Sequence, residues 1–138
     1  MVFKGRLWKK GKFWVVDVPL FRVSTQGHSR KEALSMIAEA IELHVGKRSF
    51  KVKVTSLNKS DFVVSSSDEA ELIALLLRRE RAMQHLTIRD VAKLLGYASP
   101  SAYAQYETGK HIPGLDKLSR FIKAMNPKAH VALDLVAA

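Results

Sequence analysis

No cysteine occurs anywhere in the 138 residues, which removes disulfides, thiolate nucleophiles and cysteine zinc sites together. Histidine is scarce too: five, at 28, 44, 85, 111 and 130, with no metal-ligand spacing. No metal and no cofactor is therefore expected. Apolar runs are short. The longest, Leu72 to Leu77, falls far below the roughly 20 residues of a membrane span. The opening MVFKGRLWKKGKF has neither the apolar block nor the small-residue cleavage site of a signal peptide. These absences point to a cytoplasmic chain. Acids are also in short supply, and unevenly. Residues 1–67 hold 13 Lys/Arg against 5 Asp/Glu, a net +8, whereas residues 68–138 hold 10 against 8, a net +2. A polyanion would be drawn to such a chain.

With 47% hydrophobic and 26% charged residues, the composition is that of a folded globular chain, not a disordered one. Its length allows one domain or two very small ones. Composition and patterning change at Ser65-Ser66-Ser67, which places a first domain at 1–64, a linker at 65–68 and a second domain at 69–138. In the first, Phe3 to Trp8 and Phe13 to Val18 are aromatic and β-branched runs around KKGK, a hairpin pattern. Val23 and Thr25 alternate with polar residues as a third strand. Ser29-Arg-Lys-Glu32 fits a capping box, followed by Ala33, Leu34, Ile37, Ala40, Ile41 and Val45 at helical spacing and a stop at Gly46. Phe50, Val52 and Val54 alternate with lysines, and Phe62 to Val64 closes the set. The order is β-β-β-α-β-β.

The stretch WVVDVPLFRVSTQGHSRKEALSMIAEAIEL resembles the N-terminal domain of HicB-type antitoxins, over roughly Phe3 to Val54. The weight rests on V-x-T-Q-G running into a capped helix that begins E-A-L. That resemblance implies a partial ribonuclease-H-like fold, and so raises nuclease activity. Two-metal cleavage needs several convergent carboxylates holding ions about 4 Å apart. The first half offers only Asp17, Glu32, Glu39, Glu42 and Asp61, and its first strand carries none. No enzymatic activity is expected.

The second half reads as helices. Asp68 to Met83 carries Leu72, Leu75, Leu76 and Met83. Thr87 caps a second helix, with Asp90 at the reciprocal position. In it Ile88, Val91, Ala92 and Leu95 fall at i, i+3, i+4 and i+7. Gly96 ends it. In GYASPSAYAQYETGK, Ser99 is the N-cap, Pro100 the first helical position, and a short uncharged helix runs to about Glu107. Leu115, Leu118, Phe121, Ile122 and Met125 mark another helix. His130 to Val136 alternates like a strand. The fold class is therefore α+β: a small sheet-and-helix domain, then an all-α domain with a C-terminal strand.

Two short helices joined by a glycine turn resemble the Cro and phage-repressor helix-turn-helix. Leu86-Thr87 opens the first helix, Ala92 is the small residue at the crossing, Gly96 is the turn glycine and Tyr103 takes the buried position. ETGK with His111 and Pro113 forms the segment after the recognition helix. The likeness covers about Leu72 to Met125. The turn is one residue longer than usual, and Ile88 stands where a backbone-touching glutamine is frequent. This likeness accounts for the uncharged helix. A recognition helix needs a slim outer face for the major groove and a few hydrogen-bonding side chains. By the family positions these are Ser99, Ser101 and Gln105. Phosphate contacts fall to Thr87, Arg89, Lys93, Lys110 and His111. Tyr103 and Tyr106, at i and i+3, face inward. Tyr97 and His111 are open to backbone contact or packing.

Together the two likenesses imply an antitoxin that sequesters a small HicA-like, mRNA-cleaving toxin and represses its own operon as a homodimer or dimer of dimers. Trp8, Trp14 and Phe21 are the candidate toxin contacts. A domain of net +8 repels a basic toxin at long range. Two other readings therefore stay open: a stand-alone repressor whose first domain senses a ligand, and an RNA-binding protein using Lys4, Arg6, Lys9, Lys10 and Lys12 on the basic hairpin.

Overall fold

Alternation in the first third of the chain produces strands. In the computed structural model, which describes residues 1–138, β1 (Phe3–Lys10) pairs antiparallel with β2 (Phe13–Val18), setting Leu7 opposite Val16 and Trp8 opposite Val15. A single 3-10 turn, Pro19–Phe21, leads into β3 (Val23–Gly27). Then come α1 (Arg30–Val45), β4 (Lys53–Ser56) and β5 (Asp61–Ser65). The sheet order is β3-β2-β1-β5-β4, and every pairing is antiparallel.

One side of this sheet is dry. Phe3, Leu7, Val16, Val18, Val23, Phe62 and Val64 are buried, as are Ala33, Ile37 and Ile41 of α1. Each of these side chains except that of Ala33 contributes about 1.5–3 kcal/mol by leaving water. Ser29 fulfils the hydroxyl half of the expected box: its Oγ accepts the Glu32 amide at 3.0 Å. Arg30 reaches across to the β4–β5 turn and donates to Ser56 Oγ at 2.7 Å and to the Asn58 carbonyl at 2.6 Å. The fourth strand starts later than the Phe50-Val52-Val54 alternation suggests. Glu42 Oε2 accepts the Val52 amide at 3.0 Å, so that amide bonds to a side chain, and the ladder begins at Lys53.

The chain divides into two units, Met1–Glu69 with Ala137–Ala138, and Ala70–Val136. From Ala70 onward the second unit is helical: most of α2 (Glu69–Met83), then α3 (Ile88–Leu94), α4 (Ser101–Glu107) and α5 (Leu115–Met125). None of the helices is long and apolar enough to cross a membrane. Helix α3 packs on α4 and α5. Val91, Ala92, Tyr103, Phe121, Ile122 and Met125 are buried. Phe121 gathers the aromatics: Tyr103 meets it edge-on at 5.2 Å, Tyr106 lies at 5.1 Å and Tyr97 at 6.5 Å. Tyr97 and Tyr106 both approach Phe121 while staying half-buried.

The expected C-terminal strand is absent. Residues 130–136 are coil, with Leu133 77% and Leu135 99% exposed. Alternation supplies two faces, but a strand exists only where another strand accepts its backbone groups, and this segment pairs with none in the chain.

Candidate nucleic-acid interface

Helix α3 begins on a complete capping box. Thr87 Oγ1 accepts the Asp90 amide at 3.0 Å, and Asp90 Oδ2 accepts the Thr87 amide at 2.8 Å. Hydrogen bonding from the Thr87 backbone amide, and after it from the Thr87 hydroxyl, holds the Asp90 carboxyl below its ordinary value. Satisfying two orphan donors fixes where α3 starts. It also fixes where the exposed Thr87, Arg89 and Lys93 side chains project. At the other end Gly96 takes φ +74°, and a Cβ built there meets nothing within 4 Å. Its role is conformational, since L side chains resist the left-handed region. The Tyr97 amide donates back to Ala92 O at 2.9 Å, closing the turn.

Pro100 already has helical torsions, φ −57° and ψ −31°. Ser99 Oγ accepts the Ser101 amide at 3.3 Å and shares a 2.8 Å hydrogen bond with Ser101 Oγ. Helix α4 itself runs from Ser101, so its cap position falls on Pro100, one residue after the Ser99 that the residues suggest. At 100° per residue, Ser101 and Gln105 stack on one side, with Ala104 beside them. Ser99 and Ser101 are exposed, and Ala104 and Gln105 are half-buried. Gln105 Nε2 donates to Ala102 O at 3.1 Å, folding the amide along the helix. The outer face is consequently slim, uncharged and rich in hydroxyl and amide groups.

The inner face is held by groups that patterning alone missed. Glu107, the last residue of α4, is 5% exposed. Both its oxygens take bonds from Arg81 of α2: Nε to Oε2 at 2.8 Å and Nη2 to Oε1 at 2.9 Å. Its backbone carbonyl accepts Arg78 Nη1 at 2.9 Å. The bond to Glu107 holds the Arg81 guanidinium above its ordinary value. Burial, reinforced by Glu107, pushes the Tyr103 phenol well up, so it stays neutral and donates to Met125 Sδ at 3.8 Å. Past the helix, Gly109 takes φ +75°, and a Cβ there would overlap the buried Glu71 carboxylate. The one sequence signal for Glu71 is that it is the acid of Asp68-Glu69-Ala70-Glu71 directly against LIALLL.

Lys110 and His111 are exposed beyond this anchored turn. The His111 ring stands 6.4 Å from Tyr106. Lys117 Nζ donates to the Tyr106 hydroxyl at 3.1 Å, and that bond raises the lysine above its ordinary value. Thr87, Arg89, Lys93, Lys110 and His111 thus line the exposed ends of α3 and of the turn after α4.

The aromatic trio of the first unit does not form a surface. Phe21 is fully buried, its ring 4.8 Å from Phe3. The 3-10 turn after Pro19 rotates it into the core. Trp8 pairs with Val15 and Lys9 with Trp14, so Trp8 and Trp14 project from opposite faces of the sheet. As a joint toxin-binding patch these three residues are withdrawn.

A Cro/C1-type helix-turn-helix family model matches residues 77–129, from Leu77 near the end of α2 through all of α3, α4 and α5. No curated protein matches the chain. The second unit carries a helix-turn-helix of the kind found in DNA-binding transcription regulators.

Proposed function

We propose that the protein is the autorepressing antitoxin of a toxin–antitoxin pair. A homodimer would read operator DNA with α4 in the major groove. One observation carries the DNA half: α4 presents an uncharged outer face, while Arg89 and Lys93 on α3 and Lys110 after α4 are exposed. Base edges would be read by Ser99, Ser101 and Gln105, and phosphates held by Thr87, Arg89, Lys93, Lys110 and His111. The antitoxin half is supported by the likeness of residues 3–54 to HicB-type domains, and toxin capture falls to the first unit as a whole. The chain is proposed to be non-catalytic, its role being to bind and occlude. Asp17 lies across from Arg6, with the carboxylate 3.4 Å from the guanidinium, a pairing that suits an ion pair better than a metal.

Footprinting of the full chain on the promoter DNA preceding its own reading frame tests this. Two protected half-sites about 34–36 Å apart are expected, together with co-purification of a small HicA-like toxin at high salt. Uniform protection at every sequence would remove the repressor reading. Repression without any toxin partner would leave a stand-alone repressor. Incubation with Mg²⁺ and RNA should leave the RNA intact, and cleavage lost in Asp17→Asn would remove the non-catalytic reading.

A further inference from the structure

We propose that the outer face of the first unit's sheet is a stacking platform for single-stranded RNA. The strand register places it. Trp8 lies opposite Val15 and Lys10 opposite Phe13, and Val15 in turn lies opposite Gln26. These residues share the face away from the buried side that α1 covers. Trp8 remains 41% and Phe13 36% exposed, although aromatics of this size are the first side chains a fold buries. Trp8 and Phe13 are diagonal neighbours, about 7–8 Å apart by strand geometry. The row continues into His28, whose ring lies 5.2 Å from Phe13. Three rings, on β1, on β2 and just past the end of β3, form a surface for successive bases.

Charge selects the occupant. The Arg6 guanidinium stands 5.7 Å over the Trp8 ring, and Lys10 and Lys12 shortly precede Phe13 in sequence. Residues 1–67 carry 13 cations against 5 acids. The two acids that share this face, Asp17 and Asp61, both sit opposite Arg6, toward the end of β1 away from Phe13. The ring end is therefore cationic. A duplex hides the faces of its bases, so rings lying on a sheet serve it poorly. Unpaired bases offer a π-face each, and a basic surround follows their backbone. This site is separate from α4 and does not depend on the antitoxin reading.

The test titrates the full chain with labelled oligouridylate and follows anisotropy. A parallel titration of Trp14→Phe, in which Trp8 is the sole tryptophan, follows emission. Expected are saturable binding, quenching of Trp8, and an affinity loss of about tenfold in Trp8→Ala and again in Phe13→Ala. Both variants should melt at the parent temperature because both rings are exposed. Arg89→Ala should weaken operator duplex and leave oligouridylate binding unchanged. The proposal is overturned if Trp8→Ala binds oligouridylate like the parent, or if binding tracks Arg89. It is also overturned if duplex RNA or oligothymidylate binds more tightly than oligouridylate. Self-association of the parent that Trp8→Ala abolishes would give this face to a second copy, and would overturn it equally.

Discussion

Arg81 and Glu107, 26 residues apart in sequence, meet in a two-pronged ion pair that fastens the last residue of α4 to α2. The carboxylate is 3% and the guanidinium 22% exposed, so water screens the pair poorly. The helix proposed to enter the groove is thereby set by a contact on its opposite side.

Removing one partner strands the other in a dry site. Glu107→Ala should destabilise the second unit by about 3–5 kcal/mol, measured by urea unfolding. Operator binding should decline with it, even though Glu107 is far from any base-reading position. An unchanged midpoint would show that Arg81 finds water instead.

Two glycines with nearly equal torsions should respond differently to alanine. Gly96 and Gly109 have φ +74° and +75°, but only Gly109 faces a buried carboxylate. Gly96→Ala bears the left-handed backbone cost alone, about 1–2 kcal/mol. Gly109→Ala adds displacement of Glu71 and should unfold at clearly lower urea. Equal losses at the two sites would mean that Glu71 moves aside freely.

Gln105 offers a donor and an acceptor together, the pair that matches adenine N6 and N7 in the major groove. To use them it must release its bond to Ala102 O, a rotation about its own side chain. Gln105→Ala keeps helix propensity and should lower operator affinity at least about tenfold, since each bidentate contact is worth about 1–3 kcal/mol. Binding to unrelated duplex should hardly change. Arg89→Ala or Lys110→Ala should weaken all duplexes alike and flatten the salt dependence. Competition titrations at two salt concentrations distinguish the two classes.

The capping box of α3 has a pH signature. Asp90 has a folded value below its unfolded one, so its contribution is fully present above about pH 4 and is lost as pH falls through the folded value. The gap in melting temperature between the parent and Asp90→Ala should be constant from neutral pH to about pH 5 and close at lower pH. A gap that already shrinks near pH 6 would point to another titrating group.

Deleting residues 129–138 should leave the melting of the helical unit intact, because α5 ends at Met125 and the tail side chains are mostly exposed. If Leu133 and Leu135 pair with a twin segment across a two-fold axis, the same deletion weakens dimer and operator affinity together. Sedimentation and DNA binding equal to the full chain would assign the dimer contact elsewhere.

Local signals in this chain were legible and long-range ones were not. Ser29 and Thr87 cap where their spacing to Glu32 and Asp90 predicts, because capping spans one helical turn. Strand alternation located β1, β2, β3 and β5, and the sequence Ser99-Pro100 located the start of α4 to within one residue. Phe21 misled because three residues of 3-10 turn decide which way it points. The first residue of β4 was hidden by Glu42, a side chain ten residues earlier that takes the Val52 amide. Nothing in the local spacing marks Arg81 and Glu107 as a buried pair, because they lie 26 residues apart in sequence. Periodicity reports which face a residue is on, not what meets it there. The tail showed alternation with no partner strand.

Helix α4 has only seven residues. At about 1.5 Å per residue it spans about 10 Å, and with about 3.4 Å per base step it covers roughly three base pairs. A word that short recurs constantly among the ~10⁶ or more competing sites of a genome. One copy of the chain therefore spells too little to name a locus. In the proposed homodimer the remaining information lies in the distance between two words, a property of the joint between copies and not of α4. Substitutions at Ser99, Ser101 or Gln105 would change the letters, whereas lengthening or loosening the joint would leave every letter legible and lose the address.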